Sequence, residues 1–224
     1  MGGTMSSAID FQNNEDLAFF GKVNASISHE LKNILAIISE AAGLLHDLTE
    51  MATKGKNVEL EMLMTCSRDI DEEIQRGFAA IKQMNSFSHS VDDPLKSVNL
   101  IEVLDLIISL AGFLSFAGKV RFEPAQEAAP MVFTCPFRLQ NLIYQTLVFA
   151  FESAGPDREI QVSLHPELNG NARIAFSGLG SKSDRLFPSD KTKRIAESIG
   201  AEIRVADDSQ AIDILVSQFS EKMG

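Results

Sequence analysis

Residues 25–38 read ASISHELKNILAII, and the spacing inside this stretch sets the architecture of the first part of the chain. Ile27, Leu31, Ile34 and Ile38 recur at alternating steps of four and three, and the series runs on through Ala41, Leu45 and Leu48. That is the a/d repeat of a helix packed against a neighbour. A break at Thr53–Asn57 (TKGKN) precedes a second series: Leu60, Leu63, Ser67, Ile70, Ile74, Gly77, Ile81 and Met84, with Phe78 and Phe87 beside it. Long helices joined by a short turn form an antiparallel hairpin, here over residues 16–90. A lone hairpin leaves half of each apolar face wet. The repeat therefore predicts a homodimer in which two hairpins pair as a four-helix bundle. Residues 1–15 read as a flexible N-terminus.

Chemistry enters within the same stretch. With Ile27 at position d and Leu31 at a, His29 falls at f, on the side away from the seam. A ring nitrogen there is held by the helix yet faces solvent. Imidazole is nucleophilic when neutral and titrates near physiological pH, which suits it to carry a phosphoryl group. Attack through one ring nitrogen requires the other to hold the proton, and the adjacent Glu30 carboxylate is expected to fix that tautomer. Asn33, four residues on, has an amide able to orient a water toward an acyl phosphate. The small side chains of Ala25, Ser26, Ser28 and Ala36, with Lys32 among them, leave room for a protein partner to dock. His46, His89 and His165 have no comparable setting and read as ordinary histidines.

Beyond the hairpin the pattern changes. The polar stretch SHSVDDPLKS (88–97) reads as a linker, and residues 98–220 alternate helical and extended periods. Helices are expected over Leu100–Ala117, Pro136–Ala154 and Ser189–Ile199. Strands are expected over Lys119–Glu123, Met131–Thr134, Glu159–His165, Ala172–Ser177, Ala201–Val205 and Ala211–Val216. Helices on one face of a mostly antiparallel sheet make an α+β two-layer sandwich.

Composition limits the partners. A net charge of −11 and the absence of tryptophan argue against a nucleic-acid or anionic-membrane surface. No apolar run reaches the roughly 18 residues of a membrane span. The start MGGTMSSAIDFQNNED lacks the basic and apolar regions of a secretory signal, so the expected location is the cytoplasm. Met1-Gly2-Gly3 is only weakly like an acylation signal. Cys66 and Cys135 have no companion at metal or redox spacing and read as plain buried thiols.

The quoted stretch resembles the H-box of two-component sensor histidine kinases. MNSFSHSVDDPLKSVNLIEVL (84–104) is similar to that family's exit into its ATPase domain of the GHKL type. The resemblance covers nearly the whole chain and implies that His29 is the phosphoacceptor, with Glu30 its acid and Asn33 a residue supporting phosphatase activity. Ile34 stands where many members have proline, so the helix is expected to run on unkinked. PFRLQNLIYQTLVFAFESAG (136–155) resembles the family's N-box helix, but Gln145 and Phe149 occupy the two asparagine positions. The second of these normally holds Mg²⁺, which demands oxygen ligands that a phenyl ring lacks. Ser177 stands where an adenine-binding aspartate belongs. Gly178 and Gly180 read as a turn, and Asp184 comes after them, in the wrong order. FPSDKTKRIAE replaces the glycine-rich lid, leaving Lys191, Lys193 and Arg194 as a solvated helix start.

The resemblance therefore implies a bacterial histidine phosphotransferase of the kinase-derived, dimeric kind. Such a protein exchanges a phosphoryl group between its histidine and aspartates of response-regulator receiver domains. It needs no cofactor of its own, because the receiver brings Mg²⁺; a sensor kinase is a further expected partner. The alternative is a pseudokinase acting as scaffold or as receiver phosphatase.

Overall fold

The computed structural model describes residues 14–113, 118–124, 130–154, 159–180, 186–206 and 210–217. The chain divides into two compact units, one spanning Gly21–Ser86, the other joining Met1–Phe20 to Phe87–Gly224. Among the described residues no helix is long and apolar enough to cross a membrane.

The first unit is the helical hairpin. Helix α1 covers Asn14–Thr53 and α2 covers Leu60–Ser88. Helix α1 continues through Ile34, as expected from the absence of proline there. Its seam matches the sequence pattern: Ile27, Ile34 and Leu48 are buried, and Leu31, Ile38, Ala41 and Leu45 are half-buried. The seam of α2 is rotated from the expected one. Leu63, Cys66, Ile70, Glu73, Gly77, Ala80, Met84 and Phe87 are the buried and half-buried series, whereas Ser67, Ile74 and Ile81 are exposed. Gly77 faces Ile34 of α1, and a Cβ there would make an ordinary contact with Ile34 Cγ2 at 3.7 Å.

The turn between the helices is specified by Gly55. The Lys56 N–H donates to the Met51 carbonyl (3.1 Å) and the Gly55 N–H to the Ala52 carbonyl (3.0 Å). These are the paired bonds of a Schellman cap, whose left-handed residue is Gly55 at φ 75°. A Cβ at this position meets nothing within 4 Å, so only backbone strain opposes it. We predict that Gly55→Ala costs about 1 kcal/mol. Denaturation followed by the helical circular-dichroism signal measures this, and an unmoved hairpin transition would refute the cap's role.

The second unit is an α+β two-layer sandwich. Strands β1 (Lys96–Asn99) and β3 (Met131–Thr134) form an antiparallel pair. Five strands form the main sheet: β2 (Lys119–Glu123), β4 (Glu159–Pro166), β5 (Ala172–Ser177), β6 (Ala201–Val205) and β7 (Ala211–Val216). Their order is β2-β4-β5-β7-β6, with β2 and β4 parallel and the other pairs antiparallel. Ile160, Val162 and Leu164 of β4 share the buried face with Ala172, Ile174 and Phe176 of β5 and Ile212, Ile214 and Val216 of β7. Alternate residues on the opposite face include Gln161, Arg173 and Asp213, so a single side of the sheet is apolar.

Helices α3 (Leu100–Phe113), α4 (Pro136–Glu152) and α5 (Asp190–Ser198) complete the second layer. Residues 114–117, expected to extend α3, lie outside the described residues. Asn99 caps α3, its Oδ1 accepting from the Ile101 N–H at 2.9 Å. Pro136 opens α4, where its missing N–H leaves no bond unmade. The Ser189 hydroxyl caps α5 by accepting from the Thr192 N–H at 3.2 Å.

Besides shifts of one or two residues at the ends of α4, α5 and β4, three boundaries differ from the sequence reading. The stretch 88–97 is more than a linker: it holds a short 3₁₀ turn, His89–Val91, and the start of β1. Strand β1 is too short and too polar to announce itself, and its definition comes from pairing with β3. Asn14 and Glu15, placed in a flexible terminus, begin α1 instead. Residues 16–20, assigned to the hairpin, belong to the sandwich unit. Asp16 is buried there, accepting a long hydrogen bond from Asn141 Nδ2 (3.5 Å) and lying 3.8 Å from Arg138 Nε. Phe19 packs its ring against Phe87, Phe137 and Tyr144, with centroids 5.5, 5.4 and 5.1 Å away. Aromatic contacts at these separations add to simple area burial, and a polar count along the sequence does not reveal them.

Candidate functional site

His29 stands on α1 with its side chain exposed, as its f position requires. Ser28, Lys32, Asn33, Ala25 and Ala36 are exposed around it, and Ser26 is half-buried. Residues four apart share a helix face, so Asn33 comes beside the imidazole: Asn33 Nδ2 lies 3.3 Å from His29 Nδ1.

Glu30 goes elsewhere. Adjacent residues on a helix point about 100° apart, and this turns Glu30 from the His29 face toward α2. Its side chain is only 17 % exposed, and Oε1 accepts from Arg76 Nη2 at 2.6 Å. The Glu30 carboxylate, expected on the imidazole, is therefore engaged by a guanidinium of the facing helix. Arg76 also donates through Nη1 to Glu73 Oε1 at 2.5 Å. Glu73 is itself largely buried, and its Oε2 has no hydrogen-bond partner among the described residues. The Glu73 bond, ahead of the weaker support from Glu30, holds the Arg76 guanidinium above even its ordinary strongly basic range. Arg76 was missed in the sequence because it lies 46 residues from Glu30. Its position one step before Gly77 on the α2 seam is the only signal that could have found it.

The sandwich holds the residues that the family resemblance marks as nucleotide positions. Gln145 Nε2 donates to Asn141 Oδ1 at 3.1 Å, within α4. Phe149 is half-buried and stacks on Phe187, with ring centroids 4.4 Å apart and planes 18° from parallel. Ser177 ends β5, opposite Gln161 and Ala211. Gly178 follows at φ 91°, and a Cβ there would lie 2.4 Å from the Glu159 carbonyl oxygen. Leu179 bridges to Ala154, and the Gly180 N–H donates to the Ser153 carbonyl at 2.6 Å. The Gly178–Gly180 segment, expected as a turn, is instead an extended stretch tied to the residues that follow α4. Asp184 lies outside the described residues. Arg194 pairs with Glu15 at 3.1 Å and Lys193 lies 3.8 Å from Asp190, while Lys191 is half-buried.

Phe149 itself cannot ligate Mg²⁺. The ring at position 149 offers no oxygen and is covered by a second ring, whereas Mg²⁺ is held by oxygen in strict octahedral geometry. Among the described residues no group of three His, Cys, Asp or Glu side chains is placed to hold a metal ion. Cys66 and Cys135 are both buried and unbridged. Burial pushes the Cys135 thiol above its usual range, as expected of an inert core cysteine.

No protein-family model matches this sequence, and no curated protein shows significant similarity to it. Solved structures do match in backbone path. Histidine kinase AdeS of Acinetobacter baumannii aligns with a TM-score of 0.47 at 10 % identity, over 80 % of this chain and 96 % of that one. The blue-light activated histidine kinase EL346 of Erythrobacter litoralis gives 0.46 at 15 % identity, over 96 % of this chain and 64 % of that one. Histidine kinase ThkA, solved in complex with response regulator protein TrrA, gives 0.46 at 16 % identity, over 94 % of this chain and 65 % of that one. Each of the three is a histidine kinase, and this chain is similar to them.

Proposed function

We propose that this chain is a histidine phosphotransferase of a bacterial two-component system, exchanging a phosphoryl group between His29 and receiver aspartates without using ATP. One contrast carries the reading: an exposed imidazole steadied by Asn33 is retained, while the position expected to ligate Mg²⁺ holds a phenyl ring stacked on Phe187.

In the forward step the Nε2 lone pair of His29 attacks the phosphorus of a receiver's aspartyl phosphate in line. The P–O bond to the aspartate breaks and its electron pair leaves with the carboxylate as the N–P bond forms. Nδ1 keeps its proton throughout, and a second receiver's aspartate reverses the exchange. For this, Asn33 must present its amide oxygen to Nδ1–H, a half-turn of a group whose two ends have nearly the same shape. The receiver supplies Mg²⁺. The exposed side chains of Ala25, Lys32 and Ala36 border the docking face.

The working form is a homodimer. Beside its inner seam α2 carries a second apolar stripe, with Leu60, Met64, Ile74, Phe78 and Ile81 all exposed. On α1, Ile37, Leu44 and Met51 repeat every seven residues and are likewise exposed. A second copy of the same hairpin, related by a two-fold axis, covers such stripes in a four-helix bundle.

The test uses a panel of receiver domains carrying labelled aspartyl phosphate, offered to wild type and to His29→Ala. An acid-labile adduct on wild type alone is the expected result. Loss of receiver label without any adduct would replace the transferase with a phosphatase, and no change in any receiver would leave a scaffold.

A further inference from the structure

We infer that Arg76 is a positioning residue of the His29 site: it keeps the Glu30 carboxylate on the hairpin seam and so leaves the Nδ1 atom of His29 to Asn33. The inference rests on the phosphotransfer reading for its purpose but not for its test.

The geometry is that of one guanidinium shared by two carboxylates. Arg76 spends Nη2 on Glu30 and Nη1 on Glu73, both at 2.6 Å or less. Glu30 and Glu73 are mostly covered, at 17 % and 12 % exposure, whereas Arg76 is half exposed. Partly desolvated carboxylates facing one another are stable only while a cation stands between them. Charge-assisted bonds of this kind are about twice as strong as neutral ones. Glu30 therefore stays with Arg76 in preference to an imidazole on the neighbouring face. The Asn33 amide, on the same face as His29, is the side chain that reaches Nδ1. A neutral amide can serve either tautomer by turning over, whereas a carboxylate serves only the Nδ1–H form. Arg76 thus decides whether the imidazole proton is held loosely by an amide or fixed by an anion.

Removing Arg76 sets Glu30 against Glu73, whose Oε2 already lacks a hydrogen-bond partner among the described residues. Like charges without a mediator separate, so Glu30 is expected to leave the seam for the exposed side, where His29 is its neighbour in sequence. The neutral tautomer ratio of His29, read from ring ¹⁵N chemical shifts in the unphosphorylated full chain, reports this directly. With Arg76→Gln the ratio is expected to move at least about threefold toward Nδ1–H, as a charge-assisted bond replaces a neutral one. Adding Glu30→Gln should cancel the move, and Arg76→Lys, which keeps a cation on the seam, should stay near wild type. Should Arg76→Gln fail to fold, Glu30→Gln alone decides: its ratio is expected to match wild type, while Asn33→Ala shifts it. A ratio unmoved in a folded Arg76→Gln chain, or moved as far by Glu30→Gln as by Asn33→Ala, would overturn the assignment. No receiver takes part in this measurement, so a failed transfer panel would sink phosphotransfer and leave the role of Arg76 standing.

Discussion

Placing aspartate at both Ile74 and Phe78 is expected to turn the proposed dimer into a monomer, weakening self-association by at least about a thousandfold. In the single chain both side chains are exposed, at 39 % and 64 %, so the substitutions cost the hairpin itself little. In a two-fold bundle each substitution appears twice, and four carboxylates would enter a surface with no cation assigned to meet them. Desolvating an unpaired carboxylate costs several kcal/mol, which is a large part of the free energy of a micromolar to nanomolar dimer. Sedimentation equilibrium of wild type and variant measures the change, with circular dichroism confirming that α2 remains helical. A wild type that stays monomeric at about 100 μM, where even a weak dimer of this kind would form, would remove the four-helix bundle from the proposal. A dimeric variant would place the interface elsewhere.

Gly178→Ala should be the most damaging small substitution in the sandwich, at roughly 3 kcal/mol. Two penalties coincide there. The residue sits at φ 91°, outside the region that a side chain accepts, and its Cβ would lie 2.4 Å from the Glu159 carbonyl oxygen. That oxygen belongs to the backbone at the start of β4, so no rotamer change relieves the contact; the backbone at this end of the β4–β5 pair must shift. The lower entropy of an unfolded alanine relative to glycine offsets less than about 1 kcal/mol. Tyr144 is the single tyrosine, the chain has no tryptophan, and this ring is buried in the sandwich unit. Tyrosine fluorescence therefore follows unfolding of that unit without interference from the hairpin. A midpoint that does not move would contradict the close approach.

Much of this architecture is legible in the sequence. Strands β2, β3, β5, β6 and β7 lie where alternation places them, and β4 is longer by one residue, Pro166. The helix beginning at Pro136 is announced by its proline and its apolar density. The seam of α2 was misjudged for a physical reason. Two apolar heptad stripes run side by side on that helix, and Cys66, Glu73 and Ala80 look less hydrophobic than Ile74 and Ile81. Local hydrophobicity favours the stripe left exposed in the single chain, and only the position of α1 shows which stripe closes the hairpin. At the site, the exposure of His29 and its pairing with Asn33 follow from helical spacing alone. The engagement of Glu30 by Arg76 does not, because it depends on the register between helices. Likewise the phenylalanine at position 149 is visible in the sequence, but the Phe187 ring that stacks on it is not.

The distribution of sulfur between the units has a practical consequence. Cys66 lies on the hairpin seam and Cys135 at the entry to α4, each buried and neither bridged. Each thiol meets an alkylating reagent only when its own surroundings open. The chain thus carries one chemical clock in each unit, and the two labelling rates, separated by peptide mass, measure how often hairpin and sandwich open without any inserted probe.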